Sequence, residues 1–260
     1  MNKAHVIGLC NQKGGVGKTT SAVNLAAWLA AFKKRVLLID ADSQGSATSA
    51  VGLRPQELKR TLYDILCFNE PPQAALRKTE WDQLDCLPAS VDLSGAEIEL
   101  IEVEGWQHLL RGVVEKVADD YDYIVIDGPP SLGVLQVLTL AATRKLIVPV
   151  QCEYMALEGL SLLLNTVERI QGGYNPELQL MGILPTMFQH TVLSRQVVDD
   201  LREHFGKAVF RATIPRNVRI SEAPSYGQPI LYYDPKSPGC RAYLELCQEV
   251  MHDCEKAGNG

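Results

Sequence analysis

Short, continuously apolar runs alternate with helix-length amphipathic stretches along the chain. Val36-Leu37-Leu38-Ile39 and Ile124-Val125-Ile126 contain no polar residue, whereas a strand with one solvent face would alternate. A strand without a polar side must be covered on both faces, and the repeated helices provide that cover. We therefore predict an α/β fold, a doubly wound, mostly parallel sheet with helices on both faces. The predicted strands are 5–11, 35–42, 84–88, Tyr123–Asp127, Lys145–Gln151, 178–185 and 208–215, and the predicted helices are 18–32, Leu62–Phe68, 106–119, 134–144, 157–171, 194–205 and 241–255.

The composition is that of an ordinary globular protein. Of 260 residues, 46% are hydrophobic and 22% are charged, which excludes a disordered or collagen-like chain. No Pro-, Gly- or Ser-rich linker divides the sequence, so we expect one domain over residues 1–260. No apolar run approaches the roughly 18 residues of a membrane span, and the first strand begins too early to leave room for a secretory signal. These features predict a cytoplasmic protein.

Polar or glycine-rich segments follow three of the predicted strands. Residues 11–20 follow the first strand, residues 40–47 the second, and residues 127–131 the central one. In an open parallel sheet, ligands bind beyond the carboxyl ends of the strands. We therefore expect these three segments to converge on one site.

The segment after the first strand has the features of a phosphate-binding loop. Residues 11–20 read Asn-Gln-Lys-Gly-Gly-Val-Gly-Lys-Thr-Thr and lead into a predicted helix. Glycines let successive N–H groups curl around anionic oxygens, and the helix dipole favours a phosphate there. Lys18 fits the cation at the β- and γ-phosphates, and the Thr19 hydroxyl fits a Mg²⁺ ligand. The usual pattern begins with glycine, but Gln12 stands at that position, and an additional Lys13 precedes Lys18 by five residues.

This Lys-Gly-Gly-x-Gly-Lys-[Ser/Thr] loop resembles the deviant Walker A loop of the ParA/MinD family of P-loop ATPases. The resemblance covers nearly the whole chain, is closest to the small ParA proteins of the Soj type, and includes residues 40–48, 127–133, 148–160, 214–227 and 234–237. It implies a Mg²⁺-dependent ATPase in which two copies enclose ATP and Lys13 reaches the partner's nucleotide. It also implies that a Pro-Arg-Asn stretch lies against the adenine. The implied ATP and ADP contacts are Lys13, Gly14, Gly15, Val16, Gly17, Lys18, Thr19, Thr20, Pro215, Arg216 and Asn217.

Three aspartates stand at predicted strand ends. Asp40 and Asp42 follow an apolar run directly, and Asp127 ends the central strand. Burying a carboxylate is costly unless its charge is compensated, and Mg²⁺ beside phosphates compensates it. We predict that Asp127 holds Mg²⁺ through water. The resemblance implies that Asp42 orients the attacking water and that Asp40 supports the loop and the magnesium shell. For each aspartate taken alone, a helix cap or a turn is the alternative role. The predicted metal residues are thus Thr19, Asp42 and Asp127, and the predicted catalytic residues are Lys13, Lys18 and Asp42.

The chain departs from the family pattern at several positions. Ser43 and Ser46 stand where relatives usually carry the Pro and Asn of Asp-Pro-Gln-Gly-Asn, so we expect a slightly looser loop and an altered hydrolysis rate. His190 occupies a position where relatives commonly have an arginine implicated in DNA binding, and a neutral histidine attracts phosphate less at pH 7. The N-terminal region is too short for the helix-turn-helix domain of larger plasmid relatives, so we expect none.

Positive charge is concentrated in the C-terminal third of the sequence. Residues 195–241 contain eight Lys or Arg against five Asp or Glu, although the whole chain has a formal net charge of −6. Such a surface suits contact with DNA phosphates irrespective of sequence, and a solvated mixed surface is the alternative. Arg219 is the preferred DNA-binding candidate, followed by Arg195 and Arg241. The resemblance further implies a nucleoid-associated protein and a ParB-type (Spo0J-like) partner that accelerates hydrolysis.

Three other functions compete with DNA partitioning. A MinD-like ATPase that acts on a membrane or positions a protein cargo would carry a basic amphipathic helix at its C-terminus, whereas the apolar residues of 241–255 fit packing on the sheet. We therefore expect no stable membrane anchor. An iron–sulfur reductase would need interface cysteines, and residues 128–133 contain none. A scaffold that binds nucleotide without hydrolysis is disfavoured because Lys18, Asp42 and Asp127 are all present.

Overall fold

A mostly parallel sheet forms the centre of the fold. The computed structural model describes residues 4–154 and 156–258. Within them the strands form one seven-stranded sheet in the order β3-β4-β2-β5-β1-β6-β7, and only the β3–β4 pair is antiparallel. These strands are β1 (His5–Leu9), β2 (Val36–Asp40), β3 (Arg77–Lys78), β4 (Leu84–Leu87), β5 (Tyr123–Asp127), β6 (Lys145–Gln151) and β7 (Gln179–Thr186).

Helices connect the parallel strands and cover both faces of the sheet. They are α1 (Lys18–Ala31), α2 (Ser46–Ala50), α3 (Leu62–Phe68), α4 (Pro72–Ala75), α5 (Leu93–Glu99), α6 (Leu109–Val117), α7 (Val134–Ala142), α8 (Ala156–Gly173), α9 (Val192–Phe205), α10 (Val218–Glu222), α11 (Ile230–Tyr233) and α12 (Pro238–Gly258). This arrangement confirms the predicted fold class. Residues 1–3 and 259–260 of the predicted domain, and Met155 in a segment that carries the resemblance, lie outside the described residues.

Successive residues of the central strands pack on opposite faces of the sheet. In β2, Leu38 contacts the cluster that contains α1 and α12, while Leu37 and Ile39 contact the cluster that contains α3, α5, α6 and α7. In β6, Val148 packs on the same side as Leu37, against α8 and α9. Both faces of the central strands are therefore dry, which explains why their sequences do not alternate.

One predicted strand, residues 208–215, is wrong. The segment runs beside β7, and Phe210 N–H donates to the Ile183 carbonyl at 3.0 Å, but its only strand-like contacts among the described residues are isolated bridges. The carboxylate of Glu249 on α12 accepts from the Arg211 and Ala212 N–H groups at 3.0 and 2.7 Å. Because a side chain takes two successive amides, the segment cannot continue a regular ladder.

The other predicted elements are present; Leu62–Phe68, Tyr123–Asp127 and Lys145–Gln151 have the predicted ends, and the rest have shifted ends. The helix predicted at 241–255 begins at Pro238, and the strand predicted at 35–42 ends at Asp40. The sequence reasoning missed the two-residue strand β3 and five helices of seven residues or fewer, α2, α4, α5, α10 and α11. Elements this short carry too few residues to display a periodic pattern. No helix in residues 4–154 or 156–258 combines the length and apolarity that crossing a bilayer requires.

Candidate functional site

Strand register brings the three predicted segments to one edge of the sheet. In β5, Asp127 pairs with Leu9 of β1 on one side and with Asp40 of β2 on the other. The glycine-rich loop therefore begins beside Asp127, and Asp42 follows two residues after Asp40. The expected convergence at the carboxyl ends of the strands is thus present.

The backbone of the loop between β1 and α1 requires glycine at two positions. Gly15 and Gly17 have φ of 75° and 89°, in the left-handed region that other residues seldom adopt. A Cβ on Gly15 would have no atom within 4 Å, so the backbone conformation alone, and not crowding, demands glycine there. Around Gly14 the nearest side chain is that of Pro130, 4.0 Å from a Cβ placed there, so the loop after β5 lies beside the glycines.

Two side-chain hydrogen bonds fasten this loop to neighbouring strands. The Asn11 amide donates to the Pro149 carbonyl at 2.7 Å, and its oxygen accepts from the Lys13 N–H at 3.0 Å. On the other side, the Thr186 hydroxyl donates to the Val16 carbonyl at 2.8 Å. These bonds fix the loop before any ligand enters, which lowers the entropy cost of binding. Sequence reasoning did not single out Asn11 or Thr186.

Lys18 occupies the position expected of a cation that grips phosphate. Its side chain is buried, and its Nζ donates to the Lys13 carbonyl at 3.2 Å across the loop. Burial lowers the pKa of the ammonium, and the nearby Asp127 carboxylate opposes that change. A buried ammonium with one neutral acceptor gains from further anionic partners, and phosphate oxygens are such partners.

Asp127 is the most exceptional polar group of the site. It is fully buried, and neither carboxylate oxygen has a partner in hydrogen-bond geometry among the described residues. Burial raises the pKa of Asp127 well above its usual range, Asp40 adds to the rise, and the nearby Thr19 and Lys18 side chains oppose it. An orphaned buried carboxylate is costly, and a divalent cation would remove that cost. The residues present therefore fit a magnesium site.

The chemistry of Mg²⁺ agrees with this donor set. No group of three or more His, Cys, Asp or Glu side chains in the described parts of the chain is arranged to hold a metal ion. Mg²⁺ usually keeps several waters and takes one or two protein oxygens together with phosphate oxygens, so it needs no such group. The Thr19 hydroxyl and the Asp127 carboxylate are the protein oxygens that fit this role.

Asp40 organises the loop after β2. Its buried carboxylate accepts from the Thr48 N–H and the Thr48 hydroxyl, both at 2.7 Å, and from the Asp42 N–H at 3.2 Å. Burial raises its pKa to about 6, and these hydrogen bonds oppose the rise. The bonds tie the end of β2 to α2 and set the direction in which Asp42 leaves the strand. Thr48, which sequence reasoning missed, completes this arrangement.

Asp42 lies at the same sheet edge, and one of its two carboxylate oxygens accepts no hydrogen bond from the described residues. Its side chain is largely buried, and one carboxylate oxygen accepts from the Gln44 N–H at 3.0 Å. Asp42 is also close enough to Lys18 and Asp127 to affect the pKa of each. The remaining oxygen can accept a proton or a hydrogen bond from a water, as the predicted role requires.

A cavity of about 280 Å³ extends the site away from the phosphate loop. Pro215, Arg216 and Asn217 line it together with Gly17 and Thr20, so the structure brings the segment expected at the adenine next to the loop. The Asn217 oxygen caps α10 by accepting from the Arg219 N–H at 2.8 Å, which leaves the amide nitrogen as the donor for a ligand. The remaining lining residues are Thr186, Met187, Ile214, Ile220, Ser221, Pro224 and Tyr243.

Two lining residues of this cavity carry signals that sequence reasoning did not use. Met187 has φ of 51°, a conformation uncommon outside glycine and frequent at binding sites. Tyr243 comes from α12, distant in sequence, and its hydroxyl is 3.2 Å from that of Ser21 on α1. Only the tertiary packing of α12 on α1 places this ring at the cavity.

The side chain of Lys13 extends out of the phosphate loop to which its backbone belongs. Its side chain is 58% exposed, and its Nζ is 3.7 Å from a carboxylate oxygen of Glu153, which follows β6. An ion pair this long and this exposed contributes little stability, so the ammonium is free to move to a better anion. Glu153 was not among the predicted site residues.

The predicted DNA-binding arginines do not form one cluster. Arg219 donates to the Glu222 carboxylate at 3.0 Å and lies 3.6 Å from Asp234, so two acids already neutralise part of its charge. Arg241, on α12, is exposed on the same side of the sheet. Arg195 is exposed on α9, whose apolar face packs on the opposite side.

Comparison with known proteins identifies the family. A family model described as "AAA domain" matches residues 4–180. The chromosome partitioning protein ParA of Myxococcus xanthus is 48% identical over 95% of this chain and 87% of its own length. The sporulation initiation inhibitor protein Soj of Bacillus subtilis is 48% identical over 94% of this chain and 97% of its own length. The chain belongs to the ParA/Soj family of partitioning ATPases.

A solved structure supports the assignment of the ATPase fold. Cobyrinic acid a,c-diamide synthase from Mycobacterium smegmatis, with bound ADP and magnesium, superposes with a TM-score of 0.87 at 35% identity and covers 98% of this chain and 96% of its own. The predictions of a ParA/Soj protein and of ATPase activity are therefore confirmed.

Proposed function

We propose that this ParA/Soj chain is an ATP-dependent molecular switch for DNA segregation. ATP would occupy the loop from Gly14 to Thr20 and the adjoining cavity, and two copies would close over two nucleotides. The closed dimer would hold nonspecific DNA, and hydrolysis to ADP and phosphate would reopen it. We also assign residues 1–260 to one ATPase domain, place the protein in the cytoplasm at the nucleoid, and expect a ParB-type partner to accelerate turnover.

One observation about the site carries the proposal: Asp127 is buried without a partner among the described residues, while the Lys13 side chain points away from its own loop. The Asp127 carboxylate has no hydrogen-bond partner among the described residues, and the Lys18 ammonium donates to a neutral acceptor, the Lys13 carbonyl. Lys13 stands outside that site and rests against the exposed Glu153. A second cation at this place is explained if its target is the triphosphate of a second copy.

The side chains of the site have separate tasks in this scheme. Lys18 would neutralise charge on the β- and γ-phosphates, and the N–H groups of the loop would bind their oxygens. Mg²⁺ would supply charge neutralisation at the Thr19 hydroxyl and the Asp127 carboxylate. Asp42 would orient the attacking water and accept its hydrogen bond. Phosphoryl transfer depends on positioning and charge stabilisation more than on a strong base, so these groups suffice.

DNA would be held by cations of the C-terminal third. Arg219 and Arg241 lie on one side of the sheet, and dimerisation would double their number. Release of Arg219 from Glu222 and Asp234 would expose its full charge. Because the contact is to phosphates, binding should weaken steeply as salt increases.

The proposal is tested by DNA binding in the presence of ATP, ADP or no nucleotide, with molecular mass measured by light scattering on the same samples. We expect a dimer and DNA binding with ATP alone. Lys13→Ala should stay monomeric with ATP while still binding nucleotide, and Arg219→Glu should form the dimer but lose at least about tenfold in DNA affinity. A matched control is Lys116→Ala, which changes an exposed lysine on α6 outside both the phosphate loop and residues 195–241.

Two outcomes would contradict the proposal. A monomer that hydrolyses ATP at full rate would remove the role of Lys13 and leave an ordinary nucleotide hydrolase. An ATP dimer with no affinity for DNA at low salt would instead point to a protein cargo.

A further inference from the structure

The middle of the chain contains a long segment without any basic residue. Between Lys78 and His108 there is no Lys, Arg or His, while the same 29 residues contain eight Asp or Glu. This segment therefore has a net charge of −8, whereas the whole chain has −6, so the remaining residues together carry a net charge of +2. Its second half, residues 91–104, forms α5 and the turns on either side of it.

Apolar side chains in residues 91–104 face solvent. Val91, Ile98 and Ile101 are 72%, 79% and 58% exposed, and Val103 is exposed as well. The opposite side of α5 packs on the core, because Leu93 and Ala96, together with Leu100 directly after the helix, are buried there. The exposed residues therefore do not help to hold α5 on the protein. We call Val91, Ile98, Ile101 and Val103, with the acids among them, the 91–104 patch.

The acids of the 91–104 patch have no cationic partner in residues 4–154 and 156–258. None of the carboxylates of Asp92, Glu97, Glu99, Glu102 and Glu104 forms an ion pair with a residue in the described parts of the chain. Glu99 accepts from the Tyr63 hydroxyl at 3.0 Å, which orients it without neutralising it. The patch thus combines exposed apolar area with a concentrated, uncompensated negative charge.

We propose that the 91–104 patch docks a basic amphipathic segment of a partner protein. Its apolar residues would cover Ile98 and Ile101, and its Lys or Arg residues would pair with the surrounding carboxylates. Adjacent apolar area and charge of one sign are what such a segment recognises. A symmetric contact between two copies is disfavoured because it would bring like charges together, and an anionic lipid surface is disfavoured for the same reason.

The patch adjoins the candidate nucleotide site. The Glu97 carboxylate lies directly over Gly133, at the end of the loop that follows Asp127, and Pro130 of the same loop is the nearest side chain to Gly14. A segment docked on α5 would therefore lie close to the loop that follows Asp127, and that loop lies beside Gly14 of the phosphate loop. Any effect of docking on turnover rests on the proposed function, but docking itself does not.

The test uses the full chain in ADP without DNA, so it depends neither on ATP turnover nor on dimerisation. The probe is a fluorescein-labelled peptide of two Lys-Leu-Ala-Lys-Leu-Ala-Lys repeats, with binding followed by fluorescence anisotropy. A second peptide with Ser for every Leu keeps the charge and removes the apolar face. We expect the first peptide to bind and the second to bind at least about tenfold more weakly, because each covered Leu contributes to affinity.

Matched variants locate the binding surface. Ile98→Ser with Ile101→Ser, or Glu102→Gln with Glu104→Gln, should weaken peptide binding at least about fivefold. The controls make the same chemical changes elsewhere: Leu162→Ser with Val192→Ser, and Glu168→Gln with Glu203→Gln, all at exposed positions. All changed side chains are exposed, so folding should be preserved, and circular dichroism checks this.

Three results would overturn the proposal. One is that the patch variants and their controls weaken peptide binding equally, which would mean that the peptide is attracted only by the net charge of the protein. Another is equal affinity of the two peptides for the unchanged chain. The third is a nucleotide-independent dimer that the two isoleucine substitutions dissociate, which would make a second copy the occupant.

Discussion

At the residue scale, the phosphate loop shows how backbone conformation and side-chain chemistry divide the work. Gly15 and Gly17 are required by their positive φ, while Lys18 and Thr19 are required by their functional groups. The sequence was sufficient to identify these residues, because the loop is local and each role depends on residue type. It was not sufficient to identify Thr186 or Thr48, whose hydrogen bonds join segments distant along the chain.

Replacing Gly15 by Ala tests whether backbone conformation alone requires the glycine. No atom would contact the new Cβ, so the expected loss of about 1 kcal/mol in the free energy of unfolding comes from the left-handed φ. The matched control is Gly112→Ala, since Gly112 lies inside α6, has equally open surroundings and has no positive φ. That change should stabilise the protein by about 0.5 kcal/mol. Urea denaturation measures both, and equal signs would contradict the assignment.

Replacing Lys18 by Ala should reduce ATP affinity at least about tenfold, because charge-assisted hydrogen bonds to phosphate are lost. Fluorescence of a labelled ATP analogue measures the affinity. Lys34→Ala, which removes a lysine near the opposite end of the sheet, is the control and should bind as the unchanged chain does. Unaltered affinity of the Lys18 variant would exclude this lysine from the phosphate site.

At the scale of elements, the sequence predicted long helices and central strands well and short or irregular elements poorly. The central strands are dry on both faces, so their apolar runs were unambiguous. Residues 208–215 looked like a further strand because Val209, Phe210 and Ile214 are apolar, and all three are indeed buried. Burial was predicted correctly, but the pairing was not, because Glu249 lies 37 residues further along and takes the Ala212 amide.

Replacing Glu249 by Ala tests this account of the segment. Two backbone N–H groups would lose a carboxylate acceptor, and we expect the free energy of unfolding to fall by about 1–2 kcal/mol. Glu255→Ala, an exposed acid on the same helix, should change stability by less than about 0.5 kcal/mol. Thermal or urea unfolding measures the difference. Hydrogen exchange should also accelerate at Arg211 and Ala212, and unchanged protection there would show that the carboxylate is not the partner in solution.

At the scale of the whole molecule, the nucleotide-site residues lie at one edge of the sheet, whereas the predicted DNA-binding arginines lie on its two faces. The nucleotide residues converge at the carboxyl edge because β1, β2 and β5 are neighbours in exact register, with Asp127 between Leu9 and Asp40. The sequence predicted that convergence because all three segments follow strands of one parallel sheet, whose carboxyl ends lie at the same edge. It could not predict that Arg195 and Arg219 lie on opposite faces, because a stretch with positive net charge in sequence is not a patch in space.

Replacing Asp42 by Ala tests the proposed cycle, since ATP should still bind and close the dimer while hydrolysis slows at least about a hundredfold. The variant should therefore stay on DNA after free ATP is removed, whereas the unchanged chain dissociates. Dissociation is measured with DNA immobilised on a surface, and phosphate release is measured with a coupled assay. Asp120→Ala, an exposed acid far from the site, should behave like the unchanged chain.

A second variant separates the effect on water from the effect on the loop. Asp42 accepts from the Gln44 N–H, so its loss also loosens the turn that leads to α2. Asp42→Asn keeps an oxygen for that hydrogen bond but removes the negative charge beside the reacting water. If the charge orients water, the Asn variant should be trapped on DNA just as the Ala variant is. Rapid hydrolysis by the Asn variant would assign Asp42 to loop structure alone.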